Sequence, residues 1–122
     1  MSITTNQRQV GSVTIMDIAG RIVLGDESAA MRRVICELLS KGHKHILLNL
    51  EGVTYIDSMG LGSLVGAFTT TRKQGGELKL LNISEKVTDL MQITKLYTVF
   101  DIHTDEQIAV NSFNQSAAAA NV

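Results

Sequence analysis

Between residues 45 and 113 the chain alternates short, nearly continuous apolar runs with longer stretches whose apolar residues recur at helical spacing. Ile46-Leu47-Leu48-Asn49-Leu50 reads as a buried strand, and Val53, Tyr55 and Ile56 continue it. Leu61, Leu64, Val65 and Phe68 then take up a helical period to about Lys73, closed by Gly75-Gly76. Leu78 to Ile83 is a second apolar strand. Ser84 caps a helix carrying Val87, Leu90 and Met91, Val99 to His103 reads as a last strand, and Thr104-Asp105-Glu106 opens a helix to about Phe113. Strand–helix repetition of this kind requires right-handed crossovers and a largely parallel sheet covered by helices.

The first part of the chain supplies the remainder of an α/β domain. Val13, Ile15, Met16 and Ile18 suggest a strand, and Ala19-Gly20-Arg21 a turn into a second short strand, Ile22 to Leu24. The expected sheet is therefore mixed, mostly parallel, with an N-terminal antiparallel hairpin and about four covering helices. Asp26 opens helix one, whose apolar face is Ala30, Met31, Val34, Ile35, Leu38 and Leu39. Residues 1–113 are read as one domain and 114–122, polar and alanine-rich, as a disordered or fraying tail.

Composition narrows the function. A net charge of −1, with no basic stripe, argues against direct nucleic-acid binding, and the lack of Trp removes flat stacking surfaces. No apolar run reaches membrane-spanning length, and the polar start, Met1 to Gln9, is not a signal peptide. A single cysteine, Cys36, fits a reducing compartment and reads as a small buried apolar group. A cytoplasmic protein without membrane association is expected. His43, His45 and His103 lack metal-ligand spacing, no phosphate-binding G-x-x-x-x-G-K-[ST] occurs, and neither Ser58 nor Ser63 has nucleophile-elbow glycines, so neither metal nor cofactor is expected.

One stretch has chemistry to explain. Asp57-Ser58-Met59-Gly60-Leu61-Gly62 sets a hydroxyl beside a carboxylate where a strand gives way to a helix. Unpaired N–H groups and the positive end of the helix dipole favour a phosphate carried there. The plain alternative is that Ser58 caps the helix and Asp57 binds nearby backbone N–H groups. Gly60 and Gly62, unfavourable in a helix, suggest a surface that another backbone approaches, whereas Gly66 is read as close helix–sheet packing. Met16, Met31 and Met91 read as core, with Met59 beside the site. A hydrolase using Ser58 with His103 is the weakest reading, since an elbow and an oxyanion loop are missing.

Tyr55-Ile56-Asp57-Ser58-Met59-Gly60-Leu61-Gly62-Ser63-Leu64 resembles the signature loop of STAS-domain anti-sigma-factor antagonists. Ala19-Gly20-Arg21-Ile22, strand Ile46 to Leu50, Gly75-Gly76-Glu77-Leu78 and Leu90 to Phe100 extend the resemblance over about residues 8 to 113. It implies a non-enzymatic STAS fold that switches partners. The unmodified antagonist binds an anti-sigma factor that is itself a serine kinase, with ATP bound by that partner, and so frees the sigma factor. Phosphorylation releases the kinase, and a PP2C-type phosphatase resets the cycle. Carried over, Ser58 is the phosphoacceptor, Asp57 its flanking carboxylate, and Asp26, Met59, Gly60 and Gly62 belong to the partner-binding surface. Met59 stands where the family usually has Ser or Thr, which leaves a single hydroxyl, and Gly25 shifts the approach to Asp26. The alternative within the family is a scaffolding STAS module of a stress-signalling or lipid-transport complex.

Overall fold

The structure, a computed structural model, describes residues 4–22 and 26–120, and within them all side chains but those of 26–28 and 114–120. Strands β1 (Thr4–Val10), β2 (Val13–Ile22), β3 (His45–Ile56), β4 (Glu77–Leu81) and β5 (Ile102–His103) form one sheet in that order. β1 and β2 are antiparallel, and the other pairs are parallel. Helices α1 (Asp26–Ser40), α2 (Ser58–Lys73) and α3 (Glu85–Thr94) connect successive parallel strands, and α4 (Glu106–Ala120) ends the fold. Because the strand order advances one place at each crossover, crossovers of one hand place α1, α2 and α3 on one face.

Alternation along the strands divides the core in two. Ile46, Leu48 and Leu50 of β3 and Leu78 and Leu80 of β4 join Met31, Ile35, Leu61, Leu64, Val87, Met91 and Phe100 in the front layer. Leu47 and Leu81 point the other way, with Val13 and Ile15, against Ala109, Val110 and Phe113 of α4. The mixed, mostly parallel α/β sheet covered by four helices is therefore present.

The N-terminal hairpin exists, but its turn is not at Ala19-Gly20-Arg21. Val10 pairs with Val13, so Gly11-Ser12 is a two-residue turn, and Gly11 at φ +60° suits the first position of a II′ turn. Gly20, at φ +114°, sits instead at a register shift within a continuous β2, as a bulge. Strand β1 (Thr4–Val10) was not foreseen because its residues are mostly polar and exposed. Three smaller expectations also change. Cys36 is exposed, because it lies off the α1 face that Met31, Ile35 and Leu38 bury. Gly66 packs against the Arg32 side chain of α1, making it a helix–helix rather than a helix–sheet contact. Helix α4 continues past Phe113 to Ala120.

Long-range polar contacts tie the rear layer together. Arg8 on β1 holds Asp17 at 2.7 Å and Glu106 of α4 at 2.7 Å, and Asn49 adds a bond to Asp17 at 2.8 Å. Lys79, nearly buried in β4, donates to Ser112 at 2.8 Å, lies 3.1 Å from Asp101 and sits over the Phe113 ring.

Candidate functional site

The site is the junction of β3 with α2. Asp57 has extended backbone (φ −91°, ψ 178°) and ends the strand, and helix α2 begins at Ser58. Asp57 is the N-cap: its Oδ1 accepts from the Gly60 N–H at 2.6 Å, and its carbonyl accepts from Leu61 N at 2.9 Å. Its own N–H donates to the Ile22 carbonyl at 3.3 Å, which moors the junction to the end of β2. Asp57 thus performs the backbone-binding role considered for it, and Ser58 does not cap. Ser58 is the first helical residue, exposed, and among the described residues nothing hydrogen-bonds its hydroxyl.

This arrangement frees the serine oxygen. Relieved of capping, Ser58 Oγ sits at the positive end of a sixteen-residue helix, where a negative charge is favoured. Beside it Met59 is 54% exposed. Tyr55 is 43% exposed on the other side, with the Arg21 guanidinium stacked 5.1 Å from its ring centroid.

The two glycines differ in cause. Gly60 is buried, and a Cβ there would collide with the Ile22 carbonyl oxygen, so a contact within the fold requires glycine. Gly62 is exposed, with nothing within 4 Å of a Cβ, so no neighbour in the fold requires it. The structure therefore brings Asp57, Ser58, Met59 and Gly62 to one accessible corner. Asp26 opens α1, but its side chain lies outside the described residues.

His103 is not part of this corner. Asn49 and His103 both pair with Leu81, and Ile56 lies seven residues beyond Asn49, so the strand rise alone separates His103 from Ser58 by roughly 20 Å. His103 Nε2 lies instead 3.1 Å from Asp101. Among the described residues no cluster of His, Cys, Asp and Glu is arranged to hold a metal ion, and no helix is long and apolar enough to cross a membrane.

Sequence reasoning did not find a shallow groove of about 360 Å³ beside the serine, lined by Tyr55, Ile56, Asp57, Ser58, Lys86, Val87 and Leu90. Its far wall comes from α3, whose rotation about its axis follows from packing rather than from any local motif.

The chain is similar to known proteins both in sequence and in fold. The family described as "STAS domain" matches residues 4–109. Over 102 residues the chain is 36% identical to the anti-sigma-B factor antagonist of Bacillus subtilis (strain 168), covering 84% of this chain and 92% of that one. A Thermotoga maritima crystal structure, of a candidate anti-sigma factor antagonist, superposes with a TM-score of 0.81 at 26% identity, covering 88% of this chain and 92% of that one. The Bacillus antagonist SpoIIAA shares the fold in its unphosphorylated form, with a TM-score of 0.68 at 19% identity over 91% of this chain and 98% of that one. In its phosphorylated form the TM-score is 0.69 at 20% identity over 90% and 99%. With a family match across nearly the whole sheet and a relative this similar over most of both lengths, the chain belongs to the STAS-domain family, the family of the anti-sigma factor antagonists it resembles.

Proposed function

We propose that this chain is an anti-sigma factor antagonist whose affinity for an anti-sigma-factor serine kinase is set by phosphorylation of Ser58. The observation that carries the reading is the exposed Ser58 hydroxyl at the N-terminus of α2, left free because Asp57 makes the cap. The relative's name and the existence of SpoIIAA in two phosphorylation states support it.

In this reading Ser58 Oγ attacks the γ-phosphorus of ATP held by the partner. The new O–P bond forms as the bond to the ADP oxygen breaks, and the serine proton passes to a base of the kinase. Before transfer, Met59 and the open surface at Gly62 let the partner's backbone come close. Afterwards the corner carries roughly −1.5 to −2 additional charge next to Asp57. A charge left without full compensation inside an interface costs several kcal/mol, and about 1.4 kcal/mol is tenfold in affinity. A local change therefore suffices to separate bound from free populations without refolding. A PP2C-type phosphatase restores the hydroxyl, and the cycle runs in the cytoplasm without direct nucleic-acid or membrane binding.

The test is to mix the purified chain with its cognate kinase and ATP and to weigh the product. One phosphate on the wild type and none on Ser58→Ala is the expected result. Equal modification of Ser58→Ala, or equal kinase affinity before and after phosphorylation, refutes the reading.

A further inference from the structure

The groove beside Ser58 joins two elements that the local motif does not connect. One wall is the β3–α2 junction, with Asp57 and Ser58. The other is the first turn of α3, with Lys86, Val87 and Leu90. Lys86 is exposed, and among the described residues no carboxylate pairs with its ammonium. Lys79 of β4, by contrast, is engaged with Asp101 and Ser112; what sets Lys86 apart from the other lysines is its place in the wall of the groove that holds Ser58. Tyr55, Ile56, Val87 and Leu90 supply its apolar lining. Among the described residues that line it, Asp57 is the only acid, and its Oδ1 is occupied by the Gly60 N–H. Arg21, stacked on Tyr55, adds a second cation nearby.

We propose that Lys86 is the built-in counter-charge for a phosphate on Ser58: it receives the phosphate across the groove and is withdrawn from the partner-binding face when it does so. This rests on the reading of Ser58 as phosphoacceptor and adds a residue from a different element. Its consequence is a two-part switch. In the unmodified chain Lys86 presents a free ammonium beside the docking corner, suited to an acidic group of the partner. After phosphorylation the corner gains the phosphate's charge, only partly offset by Lys86, and that ammonium is no longer available to an acidic group of the partner. A lysine stem of four methylenes is long and flexible enough to serve both positions.

The experiment uses the full chain with phosphoserine incorporated at position 58 during translation, so that no kinase is needed. Phosphorus NMR then follows the second ionisation of the phosphate, ordinarily near pH ~6, in the wild type, Lys86→Gln, Lys86→Arg and the remote control Lys73→Gln. A cation that pairs with the dianion lowers that value. Lys86→Gln is therefore expected to raise it by about half a unit at low salt, with the difference shrinking at high salt. Lys86→Arg is expected to restore the wild-type value, and Lys73→Gln to leave it unchanged. A Lys86→Gln value within error of the wild type, or an equal rise in Lys73→Gln, overturns the proposal. That outcome is separable from failure of the switch itself, which is read by kinase affinity with and without phosphate in the wild type.

Discussion

The two glycines of the signature loop provide a matched pair of substitutions with opposite expected signs. In Gly60→Ala the added methyl overlaps the Ile22 carbonyl oxygen and comes within 2.7 Å of its carbon and 3.1 Å of Cγ2. Two of these three atoms are backbone, at the end of a strand whose Ile22 side chain is fully buried, so no flexible group can yield. Relief has to come from lifting the first turn of α2, which stretches the Asp57 N–H to Ile22 carbonyl bond. Overpacking costs about 1–3 kcal/mol, while alanine's advantage in a helix returns at most about 1 kcal/mol. Because the clash falls on backbone atoms, the upper part of the overpacking range applies, and a net loss of about 1–2 kcal/mol is expected. In Gly62→Ala the methyl meets open space on a regular helical turn, so only the propensity gain applies, about 0.5–1 kcal/mol in favour of the fold. Urea unfolding followed by circular dichroism reads both. With a slope of about 2 kcal/mol per molar, Gly60→Ala shifts the midpoint down by about 0.5–1 M and Gly62→Ala shifts it up by up to about 0.5 M. The second variant is more stable and yet, on the function proposed above, is expected to bind the kinase less well, because the methyl would stand where the proposed partner's backbone comes close. A Gly60→Ala protein as stable as the wild type, or a Gly62→Ala protein that is destabilised, refutes the assignment of one glycine to the fold and the other to its surroundings.

Further outcomes follow from the cap and from the rear charge cluster. Asp57→Ala removes the N-cap and is expected to cost about 1 kcal/mol of stability, whereas Asp57→Asn keeps it within a few tenths; equal losses in chemical denaturation would contradict the capping geometry. Asp17's carboxyl is held below the ordinary carboxylate range, chiefly by hydrogen bonds from Arg8, opposed by burial and aided by Asn49. A depressed folded value means that the associated stabilisation is present above the unfolded value, about pH 4, and is lost as pH falls through the folded one. Asp17→Asn should therefore flatten the decline of unfolding midpoint below about pH 4 relative to the wild type, and parallel acid limbs in the two proteins would count against it.

What the sequence made legible follows from how local its causes are. The helix start after Ile56 was readable because the apolar period changes there, and the Ser84 cap was readable because cap and helix are contiguous; its Oγ accepts from Val87 N at 3.3 Å. The cap at α2 was displaced by one residue, from Ser58 to Asp57, since either side chain suits the role and only the backbone angles decide. Strand β1 escaped notice because an exposed edge strand needs no apolar alternation, only a partner to pair with. Cys36 was misplaced because a small residue beside an apolar face carries no mark of which side of its edge it occupies. The Arg8–Asp17–Glu106 cluster joins residues up to 98 positions apart, and nothing local predicts it. The groove at Lys86 was hidden for the same reason: its walls are remote in sequence and are brought together by the sheet.

Arg8 is shared between the edge strand and the last helix, which links the two across the back of the domain. If β1 detaches, α4 loses an anchor, and the reverse also holds, while the front helices keep their separate apolar layer. Amide hydrogen exchange in β1 and α4 should consequently proceed with a common opening free energy, lower than that of β3. Slow breathing at the rear would then leave the β3–α2 corner intact, so that loosening at the sheet edge need not reach the exposed serine.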